Sequence, residues 1–481
     1  MSTKLEKKNL KQLHMMISVF IMVAFRFLPP FGQMTEPGMQ VLGVFVGGLY
    51  GWIFVDLLWP SLIGLLVLGT TDAITMDQLF INGFGNQIVV MTAGMLFLTA
   101  YITQCNLSDV IVSWMMTRKI ALGRPYMCLF CFMMAAYFVS IISNSLIAVV
   151  LFMPLYRSLA EQLGIPAYHK MQSVYICGMA VAACIAEVCL PFKAMVLMVM
   201  GSFSASYGIA VDYGTLTFFT FPATIFLVVC YVLFCKYILR IDARDFVLTN
   251  VEQFKLKTEV NKKTILGLFF IAIILLALLL PNFLPAEMFL AVFLKKLGYG
   301  GIVFLVLGIM MFVRIDGESL LNLPSLAKDF NWGVYILMAY FMPISSLLTS
   351  DITGVKPTLS TMFEPVLSVL SPYMFVIVVI ALAAILTNFL NNTIIAVLFA
   401  SLVTVLGGSL SGINIYVVVI LVMIAANFSV ATPAANPVNA FLFSQGDLIK
   451  FKDHLLHSCI CCAFLIFVTV TLLWMLGNIM F

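Results

Sequence analysis

The sequence predicts an all-α polytopic membrane protein, built from eleven transmembrane helices and two re-entrant hairpins in an inverted repeat. Three observations carry this. Of the 481 residues, 63% are hydrophobic and 10% charged, with a mean hydropathy of +1.12; an ordinary soluble domain is about 45–50% apolar and about 25% charged. The excess is spread over a series of apolar blocks from Met15 to Phe481, on the scale of the roughly 20 residues a helix needs to cross hydrocarbon. Two of the blocks carry amides and hydroxyls at their middle, "YFVSIISNSLIAVVLFMPLYR" at 137–157 and "ILTNFLNNTIIAVLFASLV" at 385–403. Lipid offers no partner to an open backbone amide, so continuous helices are the expected solution.

Taken in order, full crossings are expected near 13–31, 38–56, 57–70, 78–103, 171–206, 213–238, 264–281, 298–314, 331–349, 413–446 and 454–480. The N-terminus, "MSTKLEKKNLKQLHMM", starts basic and runs into apolar residues with no small-residue cleavage site. Residues 1–36 therefore read as a tail and an uncleaved first span. The blocks at about 123–158 and 371–408 are long enough to enter the bilayer and turn back, each with its polar cluster at the tip. Charge placement agrees with this count. With the N-terminus cytoplasmic, the inner side collects Lys4, Lys7, Lys8, Lys11, Arg118, Lys119, Arg124, Arg157, Lys170, Arg314, Lys328, Lys450 and Lys452, as the positive-inside rule requires. Eleven crossings then leave the C-terminus outside, in a protein expected at the cell membrane.

The one long polar segment, 241–263, splits the chain into repeats at 37–240 and 264–481. The repeats align: "NQIVVMTAGMLFLTAYITQCN" begins at Asn86 and "NWGVYILMAYFMPISSLLTSD" at Asn331, 245 residues on, while Asn144 precedes Asn392 by 248. Five crossings per repeat is an odd number, so the repeats have opposite topology. Inverted repeats with binding elements at the midplane are the architecture of secondary transporters.

After each hairpin comes a helix with a break. In the second repeat it reads "NFSVATPAANPVNAF", 427–441, where Pro433 and Pro437 interrupt the helical ladder. The carbonyls so freed need a partner, and a cation is one candidate. Thr387, Asn392 and Thr432 add uncharged oxygens that suit Na⁺, while half-helix N-termini offer amide protons to an anion. A single such residue commonly does no more than glue helices together. Two tip clusters, each followed by a break 40–46 residues later, ask for more.

"SNS" at 143–145, "LTNFLNNT" at 386–393 and "VATPAANP" at 430–437 resemble the paired Ser-Asn-Thr and Thr-Pro motifs of the divalent anion/sodium symporter family. The resemblance covers nearly the whole chain after the first span, and the wider ion-transporter superfamily is the looser fit. It implies an elevator-type homodimer carrying di- or tricarboxylates or sulfate, with Na⁺ as coupling ion and no other cofactor. By motif matching, Asn144, Ser145, Asn392, Thr393 and Pro433 touch the anion, with Thr432 beside them. Thr387, Asn392 and the carbonyls of Leu390 and Ala431 form one sodium site; Ser143, Asn144 and Cys189 fall at the other. A C4-dicarboxylate is the expected substrate, with sulfate, citrate or another organic anion, and sodium-independent or proton-coupled exchange, as alternatives.

The first repeat departs from the pattern. Its counterpart break is "AEVCLPFKAMVL", 186–197, with Cys189 where the family places a glycine and Lys193 where an asparagine is expected. Glu187 lies six residues before that lysine. An ionisable residue within a span costs roughly 2.5–3.5 kcal/mol on insertion scales, so Lys193 needs a purpose or a partner. Three readings are open: an ion pair with Glu187 or snorkelling to an interface, an ammonium standing in for the first-site sodium or meeting a substrate carboxylate, and Glu187 as a proton carrier.

An intramembrane enzyme would need a nucleophile–base pair or a metal set within the spans. The four histidines, His14, His169, His454 and His457, all fall at predicted span ends, and no HExxH or GxSxG occurs. Of the eleven cysteines, Cys128 and Cys131 form a CxxC with no second pair nearby and read as packing residues. Small anions and the lipid bilayer are the expected partners, and nucleic acid is not.

Overall fold

The computed structural model describes residues 2–104, 122–162, 165–191, 193–209, 211–243, 262–280, 284–285, 287–315, 317–367, 371–406, 412–432, 435–443 and 448–481. The described residues are mostly helical, and among them is a two-residue antiparallel ladder, Arg314–Ile315 against Glu318–Ser319. The first helix, Ser2–Ala24, tightens into a last turn at Phe25–Phe27 and stops before Pro29 and Pro30, because a residue preceding proline is pushed out of the helical region. Glu36–Phe54 starts on a Thr35 cap with Pro37 in its first turn, and Leu58–Leu68 follows after a short break. The crossing expected at 78–103 is two helices, Met76–Asn82 and Gln87–Gln104, bent by 53°. A capping box between Thr75 and Gln78 starts the first of them.

Both hairpin blocks are helix pairs. The first is Pro125–Ile142 and Ser145–Gln162; the second is Pro372–Leu386 and Asn392–Leu406. Each pair begins with proline at the first helical position, where its missing amide costs nothing, and in each the two arms pack on one another. The broken helices follow as expected: Lys170–Ile185 then Ala194–Tyr207, and Ile415–Ala426 then Pro437–Phe443. The last span of each half, Tyr213–Ile238 and Phe451–Met480, contains a five-residue π turn, at Phe234–Ile238 and Thr469–Leu473. The same order of parts occurs in both halves.

Among the described residues, seven helices are long and apolar enough to cross a membrane, or nine if each bent pair counts once. Several of the other expected crossings correspond to apolar helices of 10–17 residues, among them Leu58–Leu68, Ala194–Tyr207 and Ile415–Ala426. Lys170–Ile185 and Ile415–Ala426 are the innermost elements: residues 171–185 and 417–426 are all buried. A helix apolar on every side has to be enclosed by others, which places the two breaks inside the bundle.

The halves interlock. Ala194–Tyr207 packs on Trp332–Thr349, Asn392–Leu406 and Ile415–Ala426, while Gln87–Gln104 packs on Phe289–Phe312. A seam joins residues 32–38 to 352–358. Thr35 N–H donates to the Thr353 carbonyl at 3.1 Å, Thr35 Oγ1 to the Ile352 carbonyl at 2.6 Å, and Gln33 N–H to Thr358 Oγ1 at 3.0 Å. A Cβ on Gly38 would lie 1.9 Å from the Thr353 carbonyl oxygen, and one on Gly354 2.0 Å from that of Gln33. Gly354 also takes φ +61°, a conformation that costs other residues. Of the charges near span ends, Asp56 pairs with Lys11 at 2.9 Å and Arg26 holds the Val67 carbonyl; Asp109 lies outside the described residues.

Candidate functional site

The first tip is organised around Lys193. The arms of the first hairpin meet at Ser143 and Asn144, where the end of one helix leaves carbonyls without helical partners and the start of the next leaves open amides. Lys193 Nζ donates to the Ser140 carbonyl at 2.6 Å and the Ser143 carbonyl at 3.1 Å. It also lies 3.3 Å from Glu187 Oε2, the side chains being 8% and 20% exposed. The other carboxylate oxygen, Oε1, accepts the Ser145 N–H at 2.8 Å, and Asn144 Oδ1 caps the same helix through the Ile147 N–H at 2.9 Å. A cation thus sits at a helix C-terminus and an anion at a helix N-terminus, the placement that helix dipoles favour.

This geometry bears on the three readings left open for Lys193. The ion pair with Glu187 forms. The ammonium also takes up the carbonyl oxygens of the tip, which a bare cation would otherwise use. Ser140, next to the displaced hydroxyl position, ties the tip to the break through the Ala183 carbonyl at 2.6 Å. The Cys189 carbonyl is engaged by Thr220 Oγ1 at 2.9 Å, and Ser143 Oγ turns back to the Val139 carbonyl at 2.7 Å.

At the second tip the same places are held by neutral groups. Thr387 Oγ1 donates to the Ala426 carbonyl at 2.6 Å. Asn388 bridges tip and break: its amide donates to the Ala384 carbonyl at 2.7 Å and the Phe428 carbonyl at 3.2 Å, while its oxygen accepts the Ala431 N–H at 2.7 Å. Thr432 Oγ1 donates to the Asn388 carbonyl. Asn392 Nδ2 reaches Asn427 Oδ1 at 3.2 Å, and the Thr393 N–H is accepted by Asn391 Oδ1 and Asn392 Oδ1 at 2.9 and 3.1 Å. Among the described residues, no hydrogen bond reaches the carbonyls of Leu390 and Ala431. Pro433 lies outside the described residues.

The two breaks are in contact. Asn427 Nδ2 lies 3.2 Å from Met195 Sδ, and Asn436 Nδ2 lies 3.7 Å from Cys184 Sγ, each linking the second repeat's break to a helix of the first. Beside the first tip is a cavity of about 320 Å³ lined by Ser143, Asn144, Glu187 and Lys193, with Asp329 and Asn331 from the second half. Asn392 and Thr393 are not part of its wall; they are half-buried against the Asn427 network.

Sequence reasoning did not assign several residues that the structure makes central. Asn388 holds three hydrogen bonds; Asn427, Asn436 and Asn439 bind the break, the last two through Ser429. Their signal was present, since an amide inside an apolar helix must find a partner. Asp329 and Asn331 gave none, because they lie in a loop far from either tip in the chain.

An apolar helical bundle with two polar-tipped hairpins, each facing a broken buried helix, defines the class: an integral membrane carrier, a secondary transporter of the ion-transporter type. Residues 44–408 match the family model CitMHS, described as citrate transporter. That is well over half of the chain, which belongs to this family. Over 119 residues the chain is 29% identical to the uncharacterized transporter MJ0672 of Methanocaldococcus jannaschii. That alignment covers 25% of this chain and 26% of the relative, so the chain spans about a quarter of the curated relative it matches. Among solved structures, the Alcanivorax borkumensis YdaH transporter superposes with a TM-score of 0.58 at 13% identity, over 87% of this chain and 89% of that one. At that identity the likeness is one of fold.

Proposed function

We propose that the protein carries a small di- or tricarboxylate, a C4-dicarboxylate or citrate, across the cell membrane, coupled to Na⁺ held in the second repeat only. The observation that carries this reading is the contrast between tips. Lys193 occupies the carbonyls of Ser140 and Ser143, whereas among the described residues no donor reaches those of Leu390 and Ala431. A fixed ammonium in one repeat replaces one sodium. In the other, Thr387, Asn392 and the Leu390 and Ala431 carbonyls hold the remaining ion. Ser143, Asn144 and Cys189 then form no sodium site of their own. The anion is met by Asn144, Ser145, Asn392, Thr393, Thr432 and Pro433, with Lys193 giving it a positive charge. A cavity of about 320 Å³ is at the lower end of the range of small-ligand sites. The family's description as citrate transporter keeps citrate beside the dicarboxylates. Eleven crossings with re-entrant hairpins, an elevator motion, a homodimer and a cytoplasmic N-terminus complete the proposal.

A second reading is favoured by one contact. Glu187 accepts the Ser145 N–H, a donor that a substrate carboxylate would also use. Proton uptake by Glu187 would release that amide, so substrate binding and protonation would be coupled. The groups facing Glu187 are Lys193, the Ser140 hydroxyl and the Ser145 amide, with Asp329 on the same cavity wall.

The deciding experiment is a thermal-shift screen of the purified protein against succinate, malate, citrate and sulfate, each with and without Na⁺. A ligand at about 100 times its Kd stabilises by about 2.7 kcal/mol. Sodium-dependent stabilisation by a carboxylate supports the first reading, and stabilisation that follows pH without sodium supports the second. No shift with any of these anions, in either condition, defeats the substrate class.

A further inference from the structure

Away from both tips, three elements from the two halves bring soft ligands together. Cys177 lies on Lys170–Ile185, and His457 and Cys461 lie one turn apart on Phe451–Val468. Their ligand atoms are all within 4.8 Å of one another, Cys177 and Cys461 buried and His457 half-buried. Cys235, in the π turn Phe234–Ile238, is a neighbour of His457 and Cys461 on a third element. A π turn is a local insertion that re-aims side chains and often marks functional sites.

We propose that Cys177, Cys235, His457 and Cys461 form a structural site for a soft, four-coordinate divalent cation, Zn²⁺ by its ligand chemistry. Zinc bonds of about 2.3 Å to sulfur and about 2.0–2.1 Å to nitrogen, at a tetrahedral angle, place sulfur and nitrogen roughly 3.6 Å apart. Cys461 Sγ and His457 Nε2 are separated by 3.5 Å, one edge of that tetrahedron. Thiolate and imidazole are the donors that select zinc over magnesium or calcium. All three thiols lose their protons on binding, so three thiolates and a neutral imidazole around a 2+ ion leave one net negative charge, with Lys170 and Lys450 on the wall of the adjoining cavity.

Neighbouring groups fit this use. Tyr231 Oη gives its proton to the Val174 carbonyl at 2.8 Å and lies 3.1 Å from His457 Nε2, so it leaves the lone pair of that nitrogen to the metal. Ser458 Oγ, next to His457, is buried with no hydrogen-bond partner among the described residues, as is common where an ion or water completes the shell. A cavity of about 320 Å³, walled by Lys170, Ser173, Lys450, Asp453 and His457, gives an entry path to the imidazole. The remaining cysteines of the last span go elsewhere: Cys462 Sγ lies 3.2 Å from the Phe428 carbonyl and Cys459 is exposed.

The ion would bolt the first half's buried helix to the second half's last span, one helix before the break that carries Glu187 and Lys193. The test uses full-length protein in detergent, purified without added metal. Elemental analysis should find about one Zn²⁺ per chain. Cys177→Ser and Cys461→Ser should each lose most of it, while Cys128→Ser, outside the cluster, keeps it. Should those variants fail to fold, wild-type protein stripped with a chelator and refilled with Co²⁺ gives a second reading: a thiolate-to-cobalt charge-transfer band, with the melting temperature lowered by stripping and restored by Zn²⁺. Under about 0.1 metal ions per chain with no cobalt band on refilling overturns the site. So does a mapped disulfide between Cys461 and either Cys177 or Cys235 in freshly purified protein.

Discussion

At the first hairpin tip the carbonyls of Ser140 and Ser143 end on the Lys193 ammonium, and the amide of Ser145 ends on the Glu187 carboxylate. At the second, Asn388, Thr387 and Thr432 knit tip to break with neutral hydrogen bonds, and among the described residues no donor meets the carbonyls of Leu390 and Ala431. The backbone plan is shared: proline at the start of each hairpin, two arms, a polar turn, a buried helix and a break. The polar turn is longer in the second hairpin, 387–391 against 143–144, and the side chains around it differ. A repeated fold fixes where partial charges accumulate, and the sequence then decides whether a tethered residue or a diffusing ion neutralises them.

The largest effect that could break this comparison is at Lys193. Lys193→Met removes the cation from a buried pair, a change that costs about 3–5 kcal/mol where the partner is left uncompensated. Uptake should fall about 100-fold or acquire dependence on a second sodium, read from initial rates against Na⁺ concentration; normal uptake with an unchanged sodium profile refutes the stand-in role. The double variant Lys193→Met/Glu187→Gln should recover much of the lost melting temperature, since it removes both charges. Next comes Asn388→Ala, which leaves the Ala431 amide without its partner and the Phe428 carbonyl with one donor fewer, Cys462 Sγ still reaching it. About 2–3 kcal/mol of destabilisation is expected, together with a weakened Na⁺ response in the thermal-shift assay. An equal loss with the Na⁺ response intact would make Asn388 structural only.

A smaller effect is expected at Asp329, which shares the cavity with Lys193 and accepts from Gln104 Nε2 at 2.7 Å. Asp329→Asn should lower the KM for the anion about two- to threefold with kcat unchanged, by removing a like charge from the wall. The smallest is Thr220→Val, which takes the hydroxyl from the Cys189 carbonyl. About 1 kcal/mol of stability should go, with no change in sodium dependence; a changed dependence would return Cys189 to an ion site.

Much of the fold was legible because a membrane leaves few choices. Apolar length read out helices, and an amide cluster inside an apolar run marked each tip. The paired motifs resembled the divalent anion/sodium symporter family; the family that matches is instead the citrate transporter family, and only the wider ion-transporter superfamily is common to both. What stayed hidden was long-range. Nothing near Asp329 in the chain announces that it faces Lys193. Nothing in the span-end position of His457 announces Cys177 and Cys235, which arrive from two other helices. The bend at residues 83–86 was likewise folded into a single crossing, because hydropathy averages over a kink, and the helix at 289–298, before the bend at Gly298, was left out of the expected crossing at 298–314.

The seam at Gly38 and Gly354 has a mechanical corollary. Backbone approaches too tight for a methyl group, held by three hydrogen bonds, make that junction a footing rather than a bearing. Any excursion that carries cargo from one face of the bilayer to the other must therefore take its play from elements outside this seam, with the opening turns of the first repeat and the middle of the second staying clamped.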